Sequence, residues 1–159
     1  MSGELYFRHR QRTRQINRRW LRWMVRELMT DLLHLEDFDV TIHLVGEREM
    51  TRINETHLQH AGSTDVITFE YSAGPPAELL AGEIFVCLDE ALIQAKRFRT
   101  TWQSELVRYI IHGLLHLKGF DDLEPVARRK MKRQENRLLK EISVRFRLSK
   151  LELKTRLSA

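Results

Sequence analysis

The segment Ile111-His112-Gly113-Leu114-Leu115-His116-Leu117-Lys118-Gly119-Phe120-Asp121-Asp122 carries the residues best suited to chemistry. His112 and His116 stand four apart in an apolar run that predicts a helix. That spacing puts both imidazoles on one face, with Cβ atoms about 5–6 Å apart. Two such rings can reach one Zn²⁺ at about 2.0–2.1 Å. Gly119 tolerates positive φ, so the chain can turn there and bring Asp122 back to the same ion. Three protein ligands leave a fourth coordination position open, as in catalytic rather than structural zinc sites. An H-x-x-x-H pair alone is common, but burying two unpartnered histidines in an apolar helix is costly. The helix-stopping glycine and the Asp pair after it favour a metal. Asp121 reads either as a partner that orients a histidine or as a capping residue. Gly113 fills the position where zinc peptidases carry their general base, so peptide hydrolysis fits poorly.

HGLLHLKGFDD (112–122) closely resembles the H-G-x-L-H-L-x-G-[YF]-D-H signature of the YbeY family, bacterial endoribonucleases of rRNA maturation. INETHLQHAGSTDVITFEY (53–71) resembles that family's LN-x-x-YR-x-x-D-x-PTDVLSF segment. LLAGEIFVCLDEALIQA (79–95) resembles its LGDI-[VF]-I-C strand and the following QA-containing helix. The resemblance implies a zinc-dependent α+β fold, with metal ligands at His112, His116 and Asp122. It implies a single-strand-specific endoribonuclease acting at the 3′ end of small-subunit rRNA and in ribosome quality control. The implied partners are ribosomal RNA, the small subunit and factors such as the Era GTPase.

Two departures from the family pattern bear on turnover. The third ligand is His in the family and Asp122 here. A carboxylate can hold zinc at about 2.0–2.2 Å, but lowers the charge of the site and could widen metal choice towards Mn²⁺ or Fe²⁺. The family's catalytic Arg aligns with Leu58, and its preceding Tyr with His57. A guanidinium stabilises charge building on a phosphoryl oxygen, and leucine cannot. His57, His60 and Arg52 are candidates to compensate, with His57 carried forward as a catalytic candidate. Thr64 and Asp65 read as a turn before a strand, Asn54 as a buried hydrogen-bonding residue, and Cys87 as inert core. Glu83 stands where the family has Asp and could support the fold or the site.

Positioning these residues takes an α+β domain, a small mixed sheet with about five helices and the metal site at the end of a central one. Apolar spacing from Ile16 to Leu35 predicts one long helix over residues 13–35, its tryptophans in the core. Strands are expected around 40–44, 66–71 and 82–88, with a weaker one within 4–10. Helices are expected around 50–58, from an Asp89 N-cap to Phe98, over 102–117, and from Pro125 to about 142. Residues 72–78 read as a loop. Residues 1–142 form the metal-binding domain, and 143–159 a basic C-terminal extension that could be a strand, a short helix from Leu148, or an RNA-binding arm.

Length and composition agree with that frame. The chain has 159 residues, 42% hydrophobic and 31% charged, with 7 Gly and 3 Pro, which suits a packed domain and excludes collagen-like or linker-like chains. Its one cysteine excludes an intramolecular disulfide and fits a reducing, cytoplasmic setting. No apolar run is long enough for a membrane span, and no secretory signal is expected. An acid-free, Arg-rich stretch over 8–26 has the composition of a transit peptide but reads as folded core. Lys and Arg outnumber Asp and Glu by 8 to 2 over residues 1–30 and by 12 to 3 over 125–159, whereas residues 31–124 hold 7 against 17. Basic ends around an acidic centre suit a polyanion near a cation site. Arg18, Arg22 and Arg26 share a helical face and are candidates to hold RNA phosphates; their other reading is a solvated helix face. Two further functions stay open: a ribosome-associated rRNA-binding factor with a mainly structural metal, and a metallohydrolase on another substrate.

Overall fold

The computed structural model describes residues 3–58, 62–71 and 79–154. Four strands form one mixed sheet: β1 (Gly3–Arg10), β2 (Phe38–Val45), β3 (Val66–Glu70) and β4 (Leu80–Cys87). Their spatial order is β1-β2-β4-β3, with β1, β2 and β4 parallel and β3 antiparallel to β4. Among the described residues, five α-helices surround it: α1 (Arg18–Glu27), α2 (Glu47–His57), α3 (Leu88–Phe98), α4 (Trp102–Leu117) and α5 (Pro125–Arg145). This is the α+β architecture expected.

Alternation along the strands divides the core. Leu5, Val40, Ile42, Leu44, Ile84 and Val86 point to the face covered by α1 and α4. Val45, Met50, Ile67 and Cys87 form a smaller cluster on the other face, where α2 lies. Helix α4 is apolar nearly all round because the sheet covers one side and α5 another. Gly113 permits the close approach: a Cβ there would lie 2.6 Å from Ile84 Cγ2. The position of the peptidase base thus faces the sheet.

The first helix is shorter than its apolar spacing predicts. Asn17 Oδ1 accepts from the Trp20 amide and caps α1, while Ile16 pairs with Glu152 in an antiparallel bridge. Beyond Glu27 the helix widens into a π turn over Leu28–Leu32. Trp20 is buried, but Trp23 is 60% exposed and rests edge-on against Phe146, so only one of the two is core. Asp89 does not N-cap α3, a position taken by Cys87. Its carboxylate instead accepts from the Glu47 amide at 2.6 Å and the Thr13 hydroxyl at 2.8 Å, capping α2 from a neighbouring helix. The weakly expected first strand is real, an edge strand with alternate residues exposed.

At the C-terminus α5 runs to Arg145, Phe146 is buried, and residues Leu148–Leu151 make a 3₁₀ turn with Leu151 buried. Of the three readings of the tail, the short helix from Leu148 is the one seen. Hydrogen bonds from the Asn17 amide to the Leu151 carbonyl and from the Leu153 amide to the Gln15 carbonyl tie this segment to the start of α1. The loop expected over 72–78, His60 and residues 155–159 lie outside the described residues. Among the described residues no helix is long and apolar enough to cross a membrane.

Candidate metal centre

His112 and His116 lie one turn apart near the C-terminal end of α4, both half-buried. After Leu117 the chain reverses at Gly119, whose φ of +107° is a conformation L side chains rarely adopt. The Phe120 amide closes the turn on the Leu115 carbonyl at 2.9 Å. Asp121 Oδ1 accepts from the Leu123 amide, so Asp121 is a turn residue. This reversal carries Asp122 back over the helix end.

Three ligand atoms converge there. The two Nε2 atoms are 3.0 Å apart, and Asp122 Oδ2 is 3.6 Å from each. Donors held about 2.0–2.1 Å from a tetrahedral ion stand roughly 3.3–3.4 Å from one another, inside that spread. His112 Nδ1 meets Glu135 Oε2 at 2.6 Å. A carboxylate there accepts a hydrogen bond from Nδ1–H and leaves the lone pair on Nε2, the arrangement of metal-bound histidines. The donor set therefore fits a divalent ion of the zinc type. Among the described residues this is the one group of three or more His, Cys, Asp or Glu placed to hold a metal.

Glu135 was not visible as a site residue in the sequence, although a signal existed. It sits on the buried stripe of α5 with Met131, Leu138 and Ile142, where a carboxylate needs a partner. Burial alone would lower the pKa of His112, but the hydrogen bond and charge of Glu135, with Asp122 and Asp65, raise it overall. Burial alone would raise that of Glu135, and His112, Lys132 and Arg108 bring it below its ordinary value.

His112 and Asp122 open onto a cleft of about 320 Å³ between α3, α4, α5 and the start of β3. Asp65, Glu105, Asp122 and Glu135 line it, as do Arg108, Arg128 and Lys132. Asp65 makes the expected turn, accepting from the Val66 amide and the Thr64 hydroxyl, and also faces the cleft. Tyr109 lies in the wall with its hydroxyl proton firmly held, since burial and neighbouring carboxylates raise its pKa.

Other sequence candidates lie elsewhere. His57 is exposed at the end of α2, its ring edge-on to Phe69, and neither it nor Leu58 lines the cleft. Asn54 is buried and donates to the Gly62 carbonyl, as expected. Glu83 bonds His43 Nε2 at 2.7 Å and the Tyr71 hydroxyl, so it supports the sheet. Arg22 donates to the Leu5 carbonyl at 2.6 Å and lies over Phe7; Arg26 reaches the Gly3 carbonyl and lies over Phe38. Both guanidinium groups satisfy the outer edge of β1. That edge is three strand spacings, about 14 Å, from β3 beside the cleft. Arg18 lines a separate cavity with His9, Arg12 and Arg14. None of the three arginines reaches the metal cleft.

A profile of the family described as Endoribonuclease YbeY matches residues 6–143. The chain is 32% identical over 145 residues to an Endoribonuclease YbeY of Salinibacter ruber, covering 85% of this chain and 89% of that protein. It is 42% identical over 97 residues to one of Chlorobium luteolum, covering 61% and 69%. The solution structure of TM1509 from Thermotoga maritima superposes with a TM-score of 0.66 over 98% of this chain and 99% of that one, at 23% identity.

Proposed function

This chain belongs to the YbeY family of endoribonucleases, and we propose from its cleft that it is a zinc-dependent, single-strand-specific endoribonuclease maturing the 3′ end of small-subunit rRNA. The observation that carries this reading is the convergence of His112, His116 and Asp122, with His112 and Asp122 lining a cleft that Arg108, Arg128 and Lys132 also line. A zinc ion held by these three residues supplies Lewis-acid polarisation of a phosphoryl oxygen. Glu135 fixes the His112 ring and its tautomer, and the Gly119 turn sets Asp122. Peptide hydrolysis is not supported, because Gly113 lies against Ile84 and has no side chain to act as base. His57 has no cleft position that supports a catalytic role. The cytoplasm, the small ribosomal subunit and an Era-type GTPase are the setting and partners that go with this reading.

The test is cleavage of an rRNA fragment ending in a single-stranded 3′ extension, with and without chelator. The expected result is chelator-sensitive cleavage within the extension, lost in His116→Ala. Salt-sensitive RNA binding without cleavage, at full metal content, would instead favour the binding-factor reading.

A further inference from the structure

We propose that the amino-terminal half of α5 is the track that holds the RNA backbone: Arg128 and Lys132, with Arg108 of α4, bind the phosphates at the metal ligands, and Arg129 and Arg133 bind those that follow. This inference rests on the endoribonuclease reading for its substrate.

The placement comes from helix spacing. Arg128, Lys132 and Glu135 fall at i, i+4 and i+7 on α5, and all three line the metal cleft. Arg129, Lys132 and Arg133 line an adjoining groove of about 470 Å³, so Lys132 is common to both. Within each arginine–cation pair one helical turn apart, the backbone advances about 6 Å. The cations thus form a continuous strip that ends at His112 and Asp122.

Two of them are fixed to the metal framework itself. Arg128 Nε donates to the Asp122 carbonyl at 3.2 Å, and its terminal nitrogens carry no hydrogen bond among the described residues. Arg108 Nη1 donates to Asn136 at 2.8 Å and approaches Glu135 at 3.5 Å. These anchors leave guanidinium edges for phosphate oxygens, which such groups bind in pairs. Charge balance in the cleft points the same way. Its four carboxylates exceed its three cations by one, and a divalent ion reverses that to one net positive charge. A polyanion is then admitted where the metal is bound. Arg22 and Arg26 cannot serve this role at the cleft while they cover the β1 edge.

The experiment measures binding of a labelled single-stranded oligoribonucleotide to the metal-loaded protein across a salt series. Lys132→Gln, Arg133→Gln, their double variant and Arg19→Gln are compared with the parent, with metal content, melting temperature, kcat and KM measured for each. The slope of log K against log salt is expected to fall by about 0.7 for each track cation removed. KM should rise, and metal content and Arg19→Gln should stay at parental values. An unchanged slope in the double variant overturns the track, as does an equal effect of Arg19→Gln or an absence of RNA binding by the parent. If the parent cleaves normally while the double variant keeps its slope, the track falls and the nuclease reading stands. If the slopes fall as expected but no variant or parent cleaves, the track stands and the nuclease reading falls.

Discussion

Replacing Glu135 tests how much of the metal site is built from outside its ligands. Its side chain is 7% exposed and meets His112 Nδ1 at 2.6 Å. Removing it deletes a hydrogen bond to a charged group, worth about 1.5–3 kcal/mol, and frees the imidazole to rotate or to change tautomer. Partners of metal-bound histidines usually contribute about 10–100-fold in affinity, or roughly 1.4–2.7 kcal/mol, so the two magnitudes agree. Glu135→Gln keeps the shape and a neutral acceptor, and should lose about tenfold. Glu135→Ala keeps neither and should approach a hundredfold. The assay is competition with a chromophoric chelator at pH 7.5, with melting of the metal-free proteins as a control for folding. Affinity within twofold of the parent in Glu135→Ala, on a folded protein, would refute the assignment of Glu135 as the residue that orients His112.

Three further outcomes follow from the packing. Gly113→Ala should destabilise the protein: overpacking against Ile84 costs about 1–3 kcal/mol, offset by about 1 kcal/mol of helix propensity. The same change in an Ile84→Ala background should cost nothing, because the three atoms that meet the new Cβ are gone; equal losses in both backgrounds would contradict the contact. Burial alone would raise the pKa of Glu83, but hydrogen bonds from Tyr71 and His43 and the charges of His43 and Arg8 bring it below its ordinary value. A group depressed on folding gives stability above its unfolded pKa, about 4.5, that is lost as pH falls through the folded value. Glu83→Gln should therefore lose less melting temperature than the parent between pH 6 and about pH 3.5, and a parallel decline would be evidence against it. Burial pushes the Cys87 thiol up, so it should resist alkylation at pH 8 until guanidinium unfolds the chain. Rapid labelling of the folded protein would count against its place in the core.

Helix α4 and the convergence of His112, His116 and Asp122 are legible because their signals are local. Four-residue spacing, an apolar run and a glycine stop need nothing beyond one segment to be read. Helix α1 was overextended because Ile16 and Leu35 continue the apolar spacing. The side chain of Asn17 and the bridge to Glu152 decide its start, and the latter depends on a residue more than a hundred positions away. Asp89 has the same lesson: its position before an apolar run points to an N-cap of α3, but Cys87 holds that position and the Asp89 carboxylate caps α2 instead. Glu135 escaped because its partner lies on another helix, and a carboxylate in a basic helix looks like surface. Arg22 and Arg26 looked free for RNA because sequence does not show that the edge of β1 needs donors. The cations beside the ligands lay instead in the basic run of α5, indistinguishable by composition from its solvated neighbours.

The most direct measurement is stepwise return of Zn²⁺ to chelator-stripped protein, reading RNA cleavage at each addition. Cleavage should rise in proportion and level off at about one equivalent per chain, as one three-ligand site requires. His116→Ala should stay inactive at that loading, while His34→Ala, altered on the exposed surface, should follow the parent. Full cleavage by the stripped protein, or parental behaviour in His116→Ala, would contradict a metal centre built on His112, His116 and Asp122.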